Sequence, residues 1–323
     1  MFHLNRFFGY AQRMHCFLAL PLKRMAMEPL WLEDFLGSRN MFMRAMVEAP
    51  SGADVSEWFE SVQHTCGEPQ QPVLAPEIDL DAYTIERLGM AWCRGVAGRL
   101  EDTGLECAVH LPFLDLHPAS LDSKVLVGTR QSLERAMEFA YYLAPSHLIA
   151  HSGYDPQQHV DQEYEEYLGR SKETWVELLD QWPNHPPLFI ENTYEKNPEP
   201  LRDLVTILHS KCVGICFDVG HWNSFALGSL RQDMDRWIKV LGPYIGHLHL
   251  HDNDGTGDTH QGLGQGTVPW GELMNGLRRV GIAPGCTLEP HSQDALLHSF
   301  AFMKTRKDLF EQMLRHPYRA WGR

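Results

Sequence analysis

Residues 187–218 read PLFIENTYEKNPEPLRDLVTILHSKCVGICFD. Two short apolar runs, Pro187–Glu191 and Val213–Asp218, flank an amphipathic stretch over Leu201–His209. Apolar runs of this length suit strands buried on both faces, and the intervening stretch suits a crossover helix. The segment therefore predicts strand, helix and parallel strand. Each run ends in a carboxylate, Glu191 or Asp218, and burying such a group unpaired is costly. The ends of these strands are where chemistry is expected.

The same alternation continues in both directions. Further strands are predicted at Cys16–Pro21, Val73–Asp79, Glu106–Leu111, His147–His151, Ile245–Leu250 and Cys286–Glu289. Helices are predicted over Tyr83–Leu100, Arg130–Leu143, Glu163–Gln181, Leu230–Leu241, Trp270–Val280 and Asp294–Arg315. Eight strands alternating with helices in 323 residues match an α/β (β/α)8 TIM barrel spanning the chain as one domain. An open doubly wound sheet usually places a glycine-rich phosphate turn after its first strand, whereas here Lys23, Arg24 and Met25 follow. Residues 1–14 read as an N-terminal extension. Residues 51–71, polar with Gly and Pro, read as an excursion before the second strand.

Composition narrows the functional classes. The net charge of −14 argues against non-specific nucleic-acid binding, which depends on Lys and Arg neutralising phosphates. No apolar run reaches the length of a membrane span. Seven cysteines without paired spacing suit a reducing compartment, so a cytoplasmic location is expected.

The strand ends carry a pattern. The third ends in His110, the fourth in His151, the fifth in Glu191 and the sixth in Asp218, with His221 three residues on. The seventh carries His247, His249 and His251, and the eighth ends in Glu289. In a barrel these ends form one ring at the C-terminal mouth. A shared divalent metal ion would offset the cost of burying several carboxylates together. Alternation puts the three histidines of the seventh strand on one face at successive depths. His249 has the depth to meet Glu191, Asp218 and Glu289, with His247 deeper and His251 toward the loop. After that strand, residues 252–266 include five glycines and the unit Asp258-Thr-His260, which predicts a loop folded over the site.

From about Glu106 to Pro290 these motifs resemble the xylose isomerase-like barrel superfamily. The matching pieces are Ile-Glu191-Asn-Thr, Phe-Asp218-Val-Gly-His221, His249-Leu-His-Asp-Asn-Asp, Asp258-Thr-His260 with Gly264-Gln-Gly266, and Leu-Glu289-Pro. The superfamily includes sugar isomerases, ketose 3-epimerases, inosose dehydratases and the endonuclease IV type of abasic-site nuclease. The resemblance implies one divalent ion on Glu191, Asp218, His249 and Glu289, with Glu191 and Glu289 as an acid/base pair. The nuclease branch uses three zinc ions, and its extra ligands correspond to His110, His151, His221, Asp258 and His260. Imidazole among the ligands favours Mn or Zn, with Mg or Co as alternatives.

The preferred expectation is a metal-dependent sugar or sugar-phosphate isomerase or epimerase working through an enediolate. Its substrate would be a small sugar or polyol, with hydroxyls meeting His110, His151, His221 and the His251–Asp254 segment. The alternatives are an endonuclease IV-like zinc phosphodiesterase on abasic DNA and a non-catalytic barrel that binds metal or sugar. Residues 1–70 match the superfamily poorly and leave homo-oligomerisation open.

Overall fold

The computed structural model describes residues 16–20, 74–103, 106–208, 212–306 and 308–310. The predicted extension and the excursion over residues 51–71 lie outside them. Eight parallel strands form a closed barrel in chain order. They are β1 (Cys16–Leu20), β2 (Leu74–Asp79), β3 (Ala108–His110), β4 (Leu148–His151), β5 (Leu188–Glu191), β6 (Val213–Asp218), β7 (Ile245–Leu250) and β8 (Gly285–Leu288). Pairing of β1 with both β2 and β8 closes the ring.

The helices pack outside this ring, as the alternation predicts: α1 (Ala82–Thr103), α2 (Ser123–Leu143), α3 (Gln162–Asp180) and α4 (Glu199–Leu208). They continue with α5 (Val219–Ser224), α6 (Gly228–Arg231), α7 (Met234–Leu241), α8 (Trp270–Val280) and α9 (Gln293–Thr305). The core between helices and barrel is apolar, with Phe139, Trp175, Phe217 and Trp237 almost fully buried.

Several boundaries differ from the expectation. Helix α2 starts at Ser123, not Arg130, because Asp122 caps it by accepting the Lys124 N–H at 2.8 Å. Val125, Val127 and Gly128 weaken the helical signal in that first stretch. The single helix expected over Leu230–Leu241 is two, broken where Gln232 adopts a left-handed φ of 51°. Helix α5 was not expected, since it is short and contains Gly220 and Asn223. Strand β8 stops at Leu288, so Glu289 follows the strand, tethered by its N–H to the Leu250 carbonyl at 3.2 Å. The last helix ends at Thr305, with Arg306 in a non-helical conformation; residues 311–315 of the expected helix lie outside the described residues.

Candidate metal centre

Register places the predicted strand-end residues side by side. His151 pairs with Glu191 across β4 and β5, and Asp218 pairs with His249 across β6 and β7. All three carboxylates of the expected set face one atom. His249 Nδ1 lies 3.2 Å from Glu289 Oε1, 3.4 Å from Glu191 Oε1 and 3.8 Å from Asp218 Oδ2. That buried nitrogen makes no hydrogen bond. Two donors each about 2.1 Å from a tetrahedral ion stand about 3.4 Å apart, so the spacing fits ligands of one cation.

Glu191 is the hub. Its Oε1 faces His249 and also His221 Nδ1 at 3.2 Å. Its Oε2 faces His110 Nε2 at 3.1 Å and His151 Nε2 at 3.5 Å. On the far side of His221, its Nε2 lies 3.3 Å from Asp258 Oδ2, which also accepts from His260 Nε2 at 3.1 Å. Donors from His110, His151 and Glu191 are close enough to share an ion, as are those from Glu191, Asp218 and His249.

Most of these imidazoles have one nitrogen committed elsewhere. His110 Nδ1 donates to the Leu111 carbonyl, His221 Nδ1 to the Asn192 carbonyl and His260 Nδ1 to the Glu289 carbonyl, all at 2.8–2.9 Å. Each thereby presents Nε2 to a carboxylate, the arrangement that orients metal-ligating histidines.

Local structure explains the positions. Asp218 ends β6 and caps α5, which swings His221 over the mouth. Asn192 holds Asp218 by accepting its N–H and donating to its carbonyl, both at 2.9 Å. Gly220 admits the His251 ring: a Cβ there would stand 2.0 Å from His251 Cε1. Asp252 organises the glycine-containing loop. Its carboxylate accepts from the N–H groups of Asn253, Gly264 and Val268 and from Trp270 Nε1, at 2.9–3.1 Å.

The electrostatics follow from burial among mixed charges. Burial alone would raise the Glu191 carboxyl, but His249, His151, His110 and His221 hold it well below the ordinary range. Burial disfavours charge on His110, yet its hydrogen bond to Glu191 lifts it to about 9. His151 is pushed down to about 3, chiefly by burial. Burial raises Glu289 to about 7 despite His249.

A cavity of about 570 Å³ opens onto this cluster, lined by His110, His151, Glu191, His221, Asp258, His260 and Glu289. Phe113, Tyr154, Tyr194 and Phe225 wall it, with Asp115 and Asp155 beside them. His251, Asp252 and Asn253 are buried, with His251 Nε2 3.1 Å from Asp218 Oδ1, and the donors of His251 are close enough to share an ion with Asp218 and His221 or with His260 and Glu289. His247 lies deep in the barrel, bonded through Nε2 to Thr287 Oγ1 at 2.8 Å. The sequence reading missed Glu77 on β2, whose Oε1 is 3.2 Å from His249 Nε2. A signal existed, because Glu77 and Asp79 put two acids on one face of a strand expected to be buried.

A closed parallel barrel with histidines and carboxylates converging at its C-terminal mouth defines the class. The chain belongs to the xylose isomerase-like TIM barrel family, which it matches over residues 55–306. It is 30% identical over 189 residues to the uncharacterised protein MJ1311 of Methanocaldococcus jannaschii, covering 55% of this chain and 61% of that protein. It is 28% identical over 202 residues to a probable endonuclease 4 of Mycobacterium leprae, covering 59% of this chain and 75% of that one. Among solved structures it is similar to a D-tagatose 3-epimerase-like protein, with 26% identity and a TM-score of 0.61 over 74% of this chain and 90% of that one. No helix among the described residues is long and apolar enough to cross a membrane.

Proposed function

We propose that the protein is a divalent-metal-dependent isomerase or epimerase of a small sugar or polyol. In this reading Glu191, Asp218, His249 and Glu289 hold the ion, with Mn or Zn suited to the mixed imidazole and carboxylate donors. The observation that carries it is the approach of both glutamates to one imidazole nitrogen, 3.4 Å for Glu191 and 3.2 Å for Glu289. Glu191 ends β5 and Glu289 follows β8, and both line the cavity.

The bound ion would supply Lewis acidity at the substrate carbonyl oxygen. Glu191 and Glu289 would remove a proton alpha to that carbonyl and return one. Phe113 and Phe225 would exclude water from the sugar, and His110 and His260 would orient its hydroxyls. The acids at the cavity wall, Asp115 and Asp155, would repel a long polyanion.

The test is incubation with Mn and a panel of ketoses and inososes in deuterated water. Deuterium should appear alpha to the carbonyl, and Glu191→Gln or Glu289→Gln should slow its incorporation by about 10²–10⁴-fold. A second reading, a zinc phosphodiesterase on abasic DNA, is favoured by one observation: His110 and His151 on one side of Glu191, and His221 and His260 around Asp258, complete a larger donor set. No incorporation from any substrate, with zinc-dependent nicking of an abasic duplex, would establish it instead.

A further inference from the structure

Glu77 lies on β2, the strand from which no site residue was expected. It is 1% exposed, and its two oxygens do different things. Oε2 accepts from Thr287 Oγ1 at 2.6 Å. Thr287 in turn meets His247 Nε2 at 2.8 Å, so a buried chain of β8 and β7 side chains fixes the carboxylate. Oε1 stands 3.2 Å from His249 Nε2. The contact does not meet hydrogen-bond geometry, and both atoms are buried without a hydrogen-bond partner.

His249 is the imidazole on which the three candidate ligand carboxylates converge, and it is fully buried. Its holder differs in kind from those of its neighbours. His110, His221 and His260 are held by backbone carbonyls. His249 faces a carboxylate. A carboxylate behind an imidazole keeps the proton on the near nitrogen, orients the ring and makes the far nitrogen a stronger donor.

We propose that Glu77 is a positioning residue for the metal centre: it holds the proton on His249 Nε2 and so presents Nδ1 to the ion. The proposal rests on the reading of His249 as a metal ligand. Glu77 borders the same cavity but faces His249 Nε2, whereas Glu191 and Glu289 face Nδ1, so in this reading it would act on the ion through the imidazole. Thr287 serves it by occupying Oε2, which leaves Oε1 alone for His249.

The experiment loads the full chain with Co(II), reads the visible absorption of the bound ion and measures affinity by chelator competition. Wild type should bind Co(II), and His249→Ala should abolish the visible bands. Failure of that control would overturn the reading of His249 as a ligand, and the proposal with it. Given the control, Glu77→Gln should weaken Co(II) binding about 10–100-fold and shift the bands, since the neutral amide is a poorer proton acceptor. Thr287→Val, which leaves Glu77 charged but unanchored, should cause a smaller change in the same direction. A purely structural role would lower the melting temperature of the metal-free protein and leave affinity and spectrum as in wild type; that result overturns the proposal. If Glu77→Gln does not fold, Thr287→Val decides alone: unchanged affinity and bands overturn the proposal, and weaker binding with shifted bands supports it.

Discussion

The Oδ1 atom of Asp218 accepts the backbone N–H of His221 at 2.6 Å, so one carboxylate both caps α5 and faces the metal position through its other oxygen. The two duties can be separated. Asn is as good a helix cap as Asp but a weaker metal ligand. Asp218→Asn should therefore lower metal affinity sharply while keeping the cap, so that its metal-free melting temperature, lowered by the lost charge facing His221 and His251, stays above that of Asp218→Ala. Asp218→Ala should lose the affinity and about 1 kcal/mol of stability as well. Equal melting temperatures for the two metal-free variants would show that the cap contributes nothing.

Metal stoichiometry separates the two functional readings. One tightly held ion per chain is expected, lost in His249→Ala and retained in His110→Ala and His260→Ala. Elemental analysis after gel filtration measures it. Three zinc ions per chain, with separate losses in the His110 and His260 variants, would transfer the case to the phosphodiesterase.

The metal-free protein should lose stability as pH rises from 6.5 to 9. His110 is lifted from 6.5 to about 9 by Glu191 against the cost of burial, and His260 likewise by Asp258. A folded-state pKa above the unfolded one contributes stability that is complete below 6.5 and lost as pH climbs through about 9. Glu289, raised by burial from 4.5 to about 7, acts in the same direction. The charged groups acting on these three include Glu191, Asp79 and Glu77 at His110, Asp258 and Glu289 at His260, and His249 and Asp218 at Glu289. Metal loading should reverse the trend, since ligation requires the histidines to shed protons and so strengthens with pH. Thermal melts of metal-free and loaded protein across this range check both signs; a flat metal-free profile would contradict the assignment.

Asp252→Ala should release the loop that carries Asp258 and His260. Four N–H donors converge on the Asp252 carboxylate, and its side chain is completely buried. Leaving those donors unsatisfied should cost about 3 kcal/mol or more. Amide exchange over residues 253–268 should rise far more than exchange in β5 or β6. Uniform exchange across the chain would mean that the loop does not depend on Asp252.

The sequence alone determined the alternation of strand and helix and the placing of His110, His151, Glu191 and Asp218 at successive strand ends. Those features are local, because period and apolar content report burial within a short window. The order of the barrel and the family resemblance follow from them. Tertiary structure alone decided the rest. Alternation put His247, His249 and His251 on one face and their depth singled out His249, but the atoms each one meets come from other strands: Thr287 for the first, four carboxylates including Glu77 for the second and Asp218 for the third. Glu77 and Thr287 lie 210 positions apart, and no local pattern pairs them. They meet because parallel strands converge around one axis, and that convergence turns separate polar residues in apolar strands into a common set of donors.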